Sequence, residues 1–131
     1  MTQDDIVVKD LAHQVLKKCG IDDDQKFGSI IAILMMVSII LTLVRVLQEC
    51  NKDKTQNMTA NDKNAIYGES MRTFSKKRGL FTRMRIKRLL KKELSSEDFS
   101  KYSIKLINAI LDTGENLSDN QVSSLVEVAN V

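Results

Sequence analysis

The chain has 131 residues, enough for one folded unit with a single modest core and too few for two independent ones. Two cysteines cannot supply a disulfide framework, and together with the one histidine they cannot complete the usual structural zinc sets, so a reduced setting and no metal or other cofactor are expected. The net charge of +3 is the small difference between 20 basic and 17 acidic residues, so any electrostatic role has to come from local clustering.

Proline is absent, and the glycines Gly20, Gly79 and Gly114 fall where helices would stop. The pattern predicts an all-α protein. It comprises one long apolar helix, a candidate single transmembrane span, with a short N-terminal amphipathic helix and a C-terminal basic three-helix unit. The expected divisions are residues 1–20, 23–50, a polar linker over 51–64 and a basic helical domain over 65–131.

The first helix opens with Thr2 three residues before Asp5, a capping arrangement, and carries Val7 or Val8, Leu11, Val15 and Cys19 at helical spacing. Its His13 has no partner motif and reads as an exposed helix residue without a role. The acidic start, and the lack of a small-residue cleavage pattern after the apolar run, predict no cleaved secretory signal.

Residues Asp22, Asp23 and Asp24 suit the positive end of a second helix. From Phe27 to Val44 no side chain is charged, and eighteen helical residues rise about 27 Å, near the thickness of a bilayer's hydrocarbon. Apolar side chains point in every direction, so the helix is expected to have no polar stripe and to need cover on all sides. Lipid is one cover. The other is neighbouring subunits: Ile30, Val37 and Val44 recur every seven residues, with Ile33 or Leu34 and Ile40 or Leu41 between them, as in a helical seam.

After the linker and a short helix over 65–74 comes "KKRGLFTRMRIKRLLKK", with nine Lys or Arg and no acid. These are Lys76, Lys77, Arg78, Arg83, Arg85, Lys87, Arg88, Lys91 and Lys92. Thr82 is placed to cap a helix whose apolar face is Met84 or Ile86, Leu89, Leu90 and Leu94. Two more helices follow, announced by Ser95 three before Asp98 and by Ser118 three before Gln121. The basic run carries +9 and the remainder of the chain after it −5, so part of the basic surface is expected to be neutralised internally.

The basic run admits anionic lipid headgroups, nucleic-acid phosphates or plain water as its surroundings. Phe74 and Phe81 are the nearby aromatics for base stacking. No phosphate loop, metal cluster or nucleophile–base pair stands in the sequence, so no enzyme and no small-molecule substrate are expected.

The leading expectation is a non-enzymatic single-pass membrane anchor or scaffold whose basic cytoplasmic helical domain contacts anionic lipid or a protein partner. Acids precede the span and Arg45, Lys52 and Lys54 follow it, which puts the N-terminus outside and the C-terminus in the cytoplasm. The alternative is a soluble subunit of a homo-oligomeric or virion-like assembly with the apolar helix buried between copies. A nucleic-acid-binding accessory protein is third.

Overall fold

The computed structural model describes residues 1–20 and 29–130, apart from the side chains of residues 29–31. The expected beginning of the second helix near Asp23 lies outside the described residues, as does the side chain of the seam residue Ile30. The described residues form seven helices and no strand, so the fold is all-α as expected. Helix α1 is Gln3–Lys18, α2 Ser29–Cys50, α3 Lys52–Thr55, α4 Ala60–Lys76, α5 Leu80–Glu93, α6 Ser96–Glu115 and α7 Asp119–Ala129.

Local side-chain chemistry sets most of the helix starts. Thr2 Oγ1 accepts from the Asp5 amide at 3.1 Å, while the Asp5 carboxylate accepts from the Thr2 amide at 3.1 Å. These bonds satisfy two amides that a helix start leaves unpaired, and the Thr2 donors hold the Asp5 carboxyl below its ordinary pKa. Ser95 and Ser118 cap α6 and α7 by accepting from the Asp98 and Gln121 amides, and Gln121 Oε1 accepts in turn from the Ser118 amide. At the other end of α1, Gly20 takes φ +70°, a left-handed turn that favours glycine.

Three local expectations are revised. The polar stretch 51–64 is no plain linker: it holds α3 and the first turn of α4, because Thr59 caps α4 by accepting from the Asp62 amide at 3.3 Å. Its first residue, Asn51, is buried and ties the chain down, donating to Leu47 O at 2.7 Å and Ser70 Oγ at 3.0 Å. Gly79 begins α5 instead of ending α4, so Thr82 is a buried residue inside the helix and not its cap. Gly114 lies inside α6, where its missing side chain admits Ser75 of α4.

The helices share two adjoining apolar clusters. The first joins Ala12, Val15 and Leu16 of α1 to Met36, Ile39 and Leu43 of α2, Ile86 and Leu90 of α5, and Leu106, Ile110 and Leu111 of α6. The second joins Val8 and Leu11 of α1 to Leu41 and Val44 of α2, Met71 of α4, and Val122, Leu125 and Val126 of α7. Thus α1 and α2 run through both, and the N-terminal helices share their core with the C-terminal ones. Where the clusters adjoin, an apolar space of about 50 Å³ is lined by Val15, Leu43, Leu111 and Thr113 among others. Thr113 Oγ1 is buried without a hydrogen-bond partner among the described residues.

The surroundings of α2 differ from expectation in one respect that bears on function. Met36 and Ile39 are fully buried by the chain's own helices, as are most of Leu43 and Val44. The opposite side carries Leu34, Ser38, Arg45 and Glu49, all exposed, with Thr42 half-buried among them. The last four of these positions are spaced 4, 3 and 4 apart, so a thin polar stripe does exist on this helix. Arg45 also fastens α2 to the end of α7: its Nε donates to the Ala129 carbonyl at 3.2 Å, where a cation suits the negative helix terminus.

By length and composition the segment Ala32–Cys50 is still apolar enough to cross a membrane, a property that the core helix of a bundle shares. Apart from Leu34, the seam positions whose side chains are described are packed within the chain. Leu41 and Val44 belong to the second cluster, Val37 and Ile40 are half-buried against both clusters, and Ile33 packs against the first. Leu34 alone among the described seam residues is largely exposed, at 55%.

Candidate anion-binding face

Helix α5 is built from Leu, Arg, Met and Lys, residues that lose little rotamer freedom in a helix. Its last turn holds Lys91 and Lys92, which complement the negative end of the helix dipole. Ile86 and Leu90 are fully buried and Thr82 nearly so, and this face fixes α5 against α6 and α2. The outward face is therefore presented rigidly. It carries Leu80 at 76% exposure, Phe81 at 71% and Met84, together with exposed Lys87, Arg88, Lys91 and Lys92.

Leaving two large apolar side chains in water at the start of a highly basic helix is unusual for an isolated surface. Phe81 is partly held by its neighbour, with the Arg85 guanidinium 5.3 Å from the ring centroid, a cation–π contact. Beside them runs a groove of about 520 Å³ between α2 and α5. Thr42 and Val46 line it from α2, and Phe81, Met84, Leu89, Arg85, Arg88, Lys91 and Lys92 line it from α5. Among the described residues no acidic one lines it.

The nine basic residues separate by location. Arg85, Arg88, Lys91 and Lys92 come together on the groove, and Lys87 is exposed on the same helix. Lys76 and Lys77 stand exposed at the end of α4. Arg78 does not join the outward set. Its guanidinium pairs with Asp112, and with Glu115 at 3.0 Å, and the two α6 carboxylates hold its pKa above the ordinary value. Arg83 is half-buried and donates from Nε to the Arg78 carbonyl at 3.0 Å. The internal neutralisation expected from the charge asymmetry falls on Arg78.

Sequence reasoning missed the apolar half of this face. Of the alternatives Met84 and Ile86 for the core side, Ile86 is the buried one and Met84 is open; Leu89 packs against the first cluster as expected and also lines the groove, while Leu80 and Val46 carry no expectation. The signal was present: Phe81, Met84, Arg85, Arg88, Lys91 and Lys92 recur at three- and four-residue steps, one helical face of mixed apolar and cationic character. Phe81 is open as a stacking platform would need, whereas Phe74 is half-buried against the core.

Elsewhere, His13 is exposed, Cys50 is exposed and Cys19 is buried, both cysteines being free. Among the described residues no three His, Cys, Asp or Glu side chains are grouped so as to hold a metal ion. No protein-family model, no curated protein and no solved structure matches the chain.

Proposed function

We propose that this protein is a non-enzymatic helical bundle that docks peripherally on an anionic membrane surface through α5, with α2 kept in the bundle core. One observation carries the reading: Leu80, Phe81 and Met84 stand exposed on the same helix as Arg85, Arg88, Lys91 and Lys92, with no acid among the described residues that line the adjoining groove. Apolar side chains that enter the headgroup boundary, flanked by cations that meet lipid phosphates, are the two contributions that hold an amphipathic helix at an interface. Each Lys or Arg near anionic headgroups adds about 1 kcal/mol, screened by salt.

A second reading has α2 itself cross the bilayer, N-terminus outside and C-terminus cytoplasmic. The length and apolar character of Ala32–Cys50 favour it. Against it, α2 would have to release Met36 and Ile39 from the core and Arg45 from the end of α7. Burial of α2 between copies in a larger assembly would in turn rest on its open side, where among the described residues Leu34 is the one largely exposed large apolar side chain beside Ser38, Arg45 and Glu49.

Vesicle flotation separates these readings. The purified protein is expected to float with vesicles containing phosphatidylglycerol and not with neutral phosphatidylcholine, to leave them at high salt, and to be released by alkaline carbonate. Retention through the carbonate wash until detergent is added would favour the span. Indifference to lipid charge, or a preference for mixed-sequence RNA over anionic vesicles, would overturn the lipid reading.

A further inference from the structure

The docking face contains a more specific feature than a charged helix: a trough beside it with an apolar lining. We propose that the groove between α2 and α5 takes a single acyl chain of an anionic phospholipid, with the phosphate held by Arg85 and Arg88. This rests on the membrane-surface reading above and adds a stoichiometric lipid site to it.

The chemistry of the lining selects the ligand. Val46, Met84, Leu89 and Phe81 supply the apolar lining, with the Arg85 guanidinium over the Phe81 ring. The volume of about 520 Å³ lies within the usual range for sites that bury a small molecule. The charged atoms on the rim belong to two Arg and two Lys, which donate hydrogen bonds and accept none. Across the groove the one hydroxyl, Thr42 Oγ1, already donates to the Ser38 carbonyl at 2.8 Å.

A ligand rich in N–H donors, such as an extended peptide, therefore meets almost no acceptors here. A phosphodiester carries acceptors only. Guanidinium groups match its oxygens with paired donors that a lysine cannot supply. The chain attached to that phosphate covers side chains that otherwise face water.

The test uses the whole protein and 1-oleoyl-lysophosphatidylglycerol below its micelle concentration, followed by native mass spectrometry and calorimetry. Inorganic phosphate serves as the head without a chain, and monooleoylglycerol as the chain without a charge. One lysolipid per protein is expected, bound at least tenfold more tightly than either fragment. Val46→Trp, which fills the trough, and Met84→Glu, which puts a like charge at its mouth, should each weaken lysolipid binding tenfold or more, with circular dichroism checking that each variant stays folded. Val46→Trp keeps every cation and should still float with anionic vesicles at low salt.

Lysolipid binding no tighter than that of phosphate, or unchanged in both variants, overturns the groove site. If the lysolipid does not bind while the wild-type protein floats, the groove fails and the surface reading stands. If flotation fails as well, both fall.

Discussion

Gly114 of α6 and Ser75 of α4 meet so closely that a Cβ on Gly114 would stand 2.0 Å from Ser75 Oγ and 3.0 Å from Ser75 Cβ. Helix propensity alone would have Gly114→Ala stabilise α6 by about 1 kcal/mol. The overlap reverses the sign, because α4 and α6 share a packed interface that has to shift; a loss of about 1–3 kcal/mol is expected in urea unfolding. Adding Ser75→Ala removes the nearer of the two contacts and should recover part of the loss. Strict additivity of the two changes would show that the contact does not limit the packing.

The class of fold was legible in the sequence because its signals are local. The absence of proline and the Thr2, Ser95 and Ser118 caps each act within one helical turn, and all three capped helices begin where those residues place them. The sides of helices were harder to read. On α2, Ser38, Thr42, Arg45 and Glu49 form a stripe only one residue wide, hidden among apolar neighbours, and the average over the segment concealed it. On α5, Met84 and Ile86 are equally apolar. Only the packing of α6 and α2 decides that Ile86 is buried and Met84 open. The pairing of Arg78 with Asp112 and Glu115 depends on a tertiary contact that no spacing announces.

The two sides of α2 should answer differently to truncation. Ile39 is almost completely buried among helices of the first cluster, so Ile39→Ala is expected to cost about 2–5 kcal/mol. Leu34 is 55% exposed, and Leu34→Ala should stay within about 0.5 kcal/mol of the parent. Denaturant midpoints in plain buffer measure both. Equal effects would mean that α2 is not packed by its own chain on one side.

Arg78 and Arg88 lie ten residues apart in one basic run and are expected to fail in opposite assays. Arg78→Gln breaks the contacts to Asp112 and Glu115, which are partly solvated, so a loss of about 1 kcal/mol or less is expected, shrinking as salt is added. Its effect on vesicle flotation should be slight. Arg88→Gln removes an exposed cation on the groove and should leave the unfolding midpoint unchanged while lowering the salt concentration at which the protein leaves anionic vesicles. Identical behaviour of the two variants would contradict the division of the basic run into a structural and a docking part.

Thr113 presents a core hydroxyl without a partner among the described residues, beside the apolar space where the two clusters adjoin. A buried donor without a partner costs about 1–3 kcal/mol, and valine has nearly the same shape without the polar atom. Thr113→Val is therefore expected to raise stability by about 1 kcal/mol, visible as a higher urea midpoint with unchanged slope. A lower midpoint would mean that the hydroxyl is satisfied in solution.

The two free thiols are predicted to separate by reactivity and to leave a mark on the pH dependence of stability. Burial pushes the Cys19 thiol up to about 11, with Lys105 opposing, because the interior disfavours the thiolate. Cys50 is exposed. At pH 8, iodoacetamide should therefore add one group per folded chain, at Cys50, and a second only in urea; intact mass reads this directly. The linkage sign follows from the raised value. Below the unfolded pKa of about 9 both states keep the proton and the contribution is whole. As pH rises toward about 11 the unfolded chain loses its proton first and stability falls. The informative quantity is the difference between the parent and Cys19→Ala, which isolates the contribution of this thiol. That difference should shrink between about pH 9 and pH 11, and a difference that stays flat across the window would show that the thiol titrates alike in both states.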